Sequence, residues 1–130
     1  MIMERGVIIY KKEVAPNIFK MIIKADDIAE KIKAGQFIVL MTTERGERIP
    51  LTVAESDGCK GTITIFVQRA GKSTYELTDM SDGSKLYSLS GPNGRASEIE
   101  KVESNVVFVC GGVGTAVMYP VLKANKECGN

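Results

Sequence analysis

Histidine and tryptophan are absent from this 130-residue chain, and cysteine occurs only three times. The missing histidine removes Ser-His-Asp and Cys-His nucleophilic catalysis, His-ligated zinc and imidazole general-base chemistry. Cys59, Cys110 and Cys128 are too far apart for a CxxC zinc or iron–sulfur site, and an odd count gives no disulfide framework. Reduced thiols in a reducing compartment follow, and no metal site is expected within the chain. An excess of charge is also lacking: 17 basic residues against 16 acidic give a net charge of +1. Nucleic acid is excluded as a partner, because neutralising phosphates needs clustered excess Lys and Arg. No apolar run nears the ~18 residues of a membrane span, and no signal-peptide core with a cleavage site opens the chain. A cytoplasmic protein is expected. If it is an enzyme, a bound organic cofactor must carry the chemistry.

What is present divides the chain in two. Residues 6–13, 18–24, 36–42, 48–55, 62–68 and 85–90 have the β-branched, apolar character of short strands, with turn chemistry between them. Six strands at intervals of about ten residues predict a small antiparallel Greek-key barrel over residues 1–100. Two short helices interrupt it. Residues 26–33 set Ile28 and Ile32 at i, i+4, and residues 73–80 open with Ser73 as N-cap of a capping box closed by Glu76. From residue 104 the pattern changes. Asn105 to Cys110 reads as a fully apolar strand, Gly111 to Gly114 as a glycine loop and residues 115–126 as a helix. This is the opening β-α unit of an α/β nucleotide-binding domain. A lone unit cannot form a sheet, so the chain is expected to be the N-terminal fragment of a longer polypeptide.

Three motifs carry chemistry. Gly71-Lys72-Ser73-Thr74 lies at a strand end and opens a helix, but position 66 is Phe where a Walker A loop needs Gly, so it is no P-loop. Its amides, hydroxyls and ammonium suit a diphosphate or a plain capped helix start. Gly112-Val113-Gly114 lies where a pyrophosphate can approach a strand-to-helix turn, although the third small position, 117, is Val. In Arg48-Ile49-Pro50-Leu51-Thr52, Pro50 removes a ladder donor, which places it at an edge, a strand start or beside a ligand.

In this order and spacing, RIPLT, TITIFVQRAGKST, SGPNG and VVFVCGGVGTA resemble the ferredoxin–NADP reductase superfamily. The likeness is to electron-transfer subunits of the dihydroorotate dehydrogenase FAD/iron–sulfur type and of NADH-dependent ferredoxin:NADP oxidoreductase. It implies a flavin-binding barrel followed by an NAD(P) domain. It maps Arg48, Pro50, Leu51 and Thr52 along the isoalloxazine and ribityl, with Thr52 near the reacting N5, and Phe66, Val67 and Gln68 facing the flavin. Gly71, Lys72, Ser73 and Thr74 map onto the FAD diphosphate, and Gly111, Gly112, Gly114 and Thr115 lie near nicotinamide and its pyrophosphate. Leu51 stands where plant-type reductases stack a Tyr. The [2Fe–2S] cysteines of the family would fall beyond Asn130. The implied role passes electrons between NAD(P)H, FAD and an iron–sulfur centre, ferredoxin or a larger partner subunit. Cys110 would face the nicotinamide or be a small buried hydrophobe. The rival reading is a non-enzymatic barrel for binding or assembly, without a cofactor.

Overall fold

The computed structural model describes residues 3–130. Alternation along the strands builds the barrel wall. In β2 (Ile18–Lys24), Phe19, Met21 and Ile23 are buried, and the residues between them are half-buried. Antiparallel pairing sets these three against Val67, Ile65 and Ile63 of β6 (Thr62–Gln68), so the core faces of both strands coincide. Asn17, at φ 61°, makes the tight turn from β1 (Ile8–Ala15) into β2, which Asn tolerates better than most side chains. Ile28 of α1 (Asp26–Lys31) is fully buried among the same residues, and Ile32, one turn on, packs at the edge of the core.

The stretch 48–55 forms two strands rather than one. β4 (Ile49–Thr52) pairs with β3 (Phe37–Met41), whereas β5 (Glu55–Asp57) pairs with β6. The chain changes sheets at Val53 and Ala54, both buried, and the Ala54 amide already donates to the Thr64 carbonyl. One bent segment therefore links a sheet in the order β1-β2-β6-β5 to one in the order β4-β3-β7. On the other side the Ile8 amide donates to Ser84 and the Leu86 amide to Gly6, which draws the approach to β7 (Ser88–Asn93) against the start of β1. The result is the antiparallel barrel expected, with the fourth strand folded at a corner.

Three boundaries differ from the sequence reading. β7 runs through Gly91-Pro92-Asn93, because a register shift opposite Phe37 and Val39 leaves Pro92 without a ladder bond to donate. α2 spans Lys72–Asp79 with Gly71 as N-cap, and Thr74, not Glu76, reaches back to the cap amides. Residues 105–110 form no strand, and Val107 and Val109 stand 80% and 90% exposed. A strand is defined by its neighbours, and among the described residues this segment has none. The helix after the glycine loop does form, as α3 (Gly114–Glu127). None of its residues is buried, and it lies along the barrel beside β2, β4, β5 and β6.

Candidate functional site

A trough runs along the outside of the barrel as three hollows that share residues. The first, about 300 Å³, lies between Glu47, Arg48, Ile49 and Pro50 on one wall and Gly71 to Thr74 on the other. Pro50 also lines the second, about 270 Å³, with Leu51, Thr52, Phe66, Gln68, Val113, Ala116 and Val117. Phe66, Val113 and Ala116 continue into the third, about 360 Å³, with Ile18, Lys20, Ala54, Glu55, Gly112, Thr115 and Tyr119.

The first hollow is shaped by local hydrogen bonds. Thr74 Oγ1 accepts from the amides of Ala70 and Gly71, at 2.9 and 3.0 Å, and donates to the Gly71 carbonyl. Its hydroxyl is therefore spent on the cap and is not free for a ligand. The first amides of α2, at Lys72 and Ser73, have no carbonyl four residues back inside the helix, and both residues line the hollow. Gly71 is extended, with nothing within 4 Å of where a Cβ would stand. Ser73 Oγ donates to Glu47 Oε2 at 2.6 Å. Lys72 reaches Glu76 at 3.9 Å while its side chain stays 89% exposed. Two cations, open backbone and a helix N-terminus make this end fit a phosphate.

The second hollow is mostly apolar with polar edges. Phe66 and Gln68 point outward from β6, and Leu51 is half-buried against the core. Thr52 lines the wall, and its hydroxyl makes no side-chain hydrogen bond among the described residues. Val67, one residue along, is 1% exposed inside the core, so only its backbone can meet a ligand. Of residues 66–68, only Phe66 and Gln68 present side chains to the hollow, because a period of two sends neighbouring side chains to opposite faces.

At the third hollow the glycine loop closes over the barrel. Gly112, at φ +56°, turns the chain, and its carbonyl accepts from Thr115. Gly112 and Thr115 line the hollow. Gly111 and Gly114 shape the turn through a Gly114-to-Gly111 hydrogen bond and line none of the three hollows. Cys110 is exposed, not buried. The carboxylates held below their usual range lie elsewhere: Glu4 through its hydrogen bond from Lys85, and Asp27 through its bond from Arg5.

Sequence reasoning missed several lining residues. Val113, Ala116 and Val117 stand at helical spacing on one side of α3, but an apolar stripe there reads equally as core. Lys20 sits opposite Phe66 in the β2–β6 register, which is invisible until the pairing is known. Glu47 and Tyr119 carried no motif.

No protein-family profile matches the chain. Among curated proteins, it is 44% identical over 128 residues to an uncharacterized protein in the adh 3′ region of Clostridium beijerinckii. That alignment covers 94% of this chain and 43% of the relative. It is 41% identical over 123 residues to a dihydroorotate dehydrogenase B (NAD(+)) electron transfer subunit homolog of Thermotoga maritima, covering 95% and 43%. Among solved structures, a chain of the NADH-dependent reduced ferredoxin-NADP oxidoreductase, studied for flavin-based electron bifurcation, superposes with a TM-score of 0.95. The identity is 39%, over 98% of this chain and 46% of that one. The chain thus spans less than half the length of these relatives. Over that span, the resemblance to the ferredoxin–NADP reductase superfamily, of the electron-transfer-subunit type, holds in both sequence and fold.

Proposed function

From this kinship as premise, we propose that the chain is the flavin-binding part of an oxidoreductase electron-transfer subunit. Residues 1–100 are its FAD domain and residues 104–130 the beginning of an NAD(P)-binding domain. The observation that carries the reading is the trough, where an end holding Arg48, Lys72 and the start of α2 joins a mostly apolar middle and then the glycine loop. That sequence of environments matches a diphosphate, an isoalloxazine and an approaching nicotinamide in turn.

Arg48, Lys72 and the amides of Gly71 to Thr74 hold the diphosphate, through charge-assisted bonds and the helix dipole. Pro50 and Leu51 supply a smooth aliphatic wall for one ring face, with Phe66 and Gln68 beside it. The Thr52 hydroxyl offers a hydrogen bond to the ring edge. Gly112 and Thr115, with Gly111 and Gly114 shaping the turn, admit the nicotinamide side. Bound FAD would accept a hydride from NAD(P)H and release electrons one at a time. A chain without histidine needs no side-chain base for this, since its own groups only bind, orient and exclude water. Electrons would leave through an iron–sulfur centre to ferredoxin or a larger partner subunit. Three free, exposed cysteines suit a reducing, cytoplasmic setting. Among the described residues no helix is long and apolar enough to cross a membrane.

Absorbance in the flavin bands of the purified protein tests the proposal directly. Arg48→Ala combined with Lys72→Ala should weaken FAD binding about 100-fold, from two lost charged contacts of ~1.4 kcal/mol each, with an unchanged far-ultraviolet circular dichroism spectrum. A folded protein that binds neither FAD nor FMN would point instead to an assembly module.

A further inference from the structure

The phosphate end of the trough holds a charge that works against its proposed ligand. Glu47 lines that hollow beside Arg48. Its Oε2 lies 2.6 Å from Ser73 Oγ, on the first turn of α2, where an incoming phosphate oxygen would take its donors. The second cation there, Lys72, faces Glu76. The charged groups at this end are thus Arg48 and Lys72 against Glu47 and Glu76, a balance of zero before any ligand arrives. The first turn of α2 carries no acidic residue of its own, so Glu47, from the loop before β4, is the carboxylate set at the helix start. A helix N-terminus favours an anion, and here the protein supplies one.

We propose that Glu47 is a built-in competitor for the phosphate end, a displaceable carboxylate that sets how strongly the site prefers phosphorylated flavin to riboflavin. The inference rests on the flavin-binding reading above. For a diphosphate to take the Ser73 hydroxyl and the α2 amides, Glu47 must swing out to solvent, and its charge continues to oppose the ligand from there. Riboflavin, which has no phosphate, leaves the Ser73–Glu47 bond in place.

Glu47→Gln separates charge from geometry, because the amide oxygen can still accept from Ser73. The wild-type chain and E47Q are titrated with FAD and with riboflavin, following quenching of flavin fluorescence. E47Q is expected to bind FAD about fivefold more tightly, a modest figure for a solvent-screened charge a few ångströms away. Riboflavin affinity is expected to be equal in the two proteins. The FAD gain should shrink when salt is raised from about 0.05 to about 0.5 M, as screening removes the repulsion. Unchanged or weaker FAD binding by E47Q overturns the role of Glu47 and leaves the flavin reading intact. So does an equal gain for riboflavin. A wild-type chain that binds neither ligand overturns the flavin reading, and the competitor role with it.

Discussion

Gly61 stands where no side chain fits. Gly61 closes the β5–β6 turn at φ +67°, and a Cβ there would lie 1.5 Å from Asp26 Oδ1 and 2.8 Å from Lys24 Nζ. Gly61→Ala should therefore strain the turn and break the Lys24–Asp26 contact, lowering stability by about 1–3 kcal/mol, read as a shift in the urea midpoint. In the trough, Thr52→Val keeps the shape of the wall and removes its hydroxyl. On the proposed flavin reading, reduction of the bound flavin by NAD(P)H should slow about tenfold with little change in FAD affinity, measured by stopped-flow absorbance. Residue types were the most legible layer of the sequence: Arg48, Pro50, Leu51, Thr52 and Gly71 to Thr74 stood out by their motifs, and they line adjoining hollows. What the motifs did not carry was orientation. Val67 turns inward and Thr74 is consumed by its own cap, because strand parity and cap geometry are settled by tertiary pairing rather than by the residues themselves.

Between elements, α2 owes its position to Arg69. The guanidinium donates to Thr78 Oγ1 and to Asp79, both at 2.7 Å, and packs over the Phe19 ring at 4.4 Å and the Tyr75 ring at 5.1 Å. It fastens the last turn of α2 to β2 and β6, and thereby aims the first turn at Arg48. Arg69→Ala should cost about 2 kcal/mol, a fall of roughly 6–8 °C in Tm by calorimetry. A second tie joins α1 to the barrel seam, where Arg5 bonds Asp27 at 2.9 Å and the Leu89 carbonyl at 2.6 Å. The Asp27 carboxyl titrates lower in the folded protein than in the unfolded chain. Its stabilisation is therefore present above the usual carboxylate range and is lost as pH falls through the lowered value. In thermal melts, wild type should exceed Asp27→Asn at neutral pH and converge with it on acidification below the usual carboxylate range. The split of residues 48–55 into β4 and β5 was not readable beforehand. The mostly apolar run from Ile49 continues without a break into Val53 and Ala54, and only the burial of that corner reveals the change of sheet.

Across the whole molecule, order is graded from barrel to C-terminal segment. The paired strands β2 and β6 enclose Ile23, Ile63 and Ile65, all fully buried. Among the described residues, 105–110 have no ladder partner and α3 has no buried residue. Amide exchange should follow this division: fast across residues 105–110, and slowest along β2 and β6, as resolved by hydrogen–deuterium exchange. The sequence pattern marked residues 105–110 as an interior strand. The pattern describes a segment suited to burial between neighbours, and burial needs those neighbours to be present.

β6 has a further consequence. Its inward residues, Ile63, Ile65 and Val67, serve the core, while its outward residues, Phe66 and Gln68, serve the trough. The two sets interleave along one strand without sharing a face. Positions 66 and 68 are thus open to redesign: the polarity around a bound ring, and with it the tendency to take up electrons, can be varied there while the interior packing stays as it is. The same separation gives natural variation a route for retuning the cofactor without first having to rebuild the barrel.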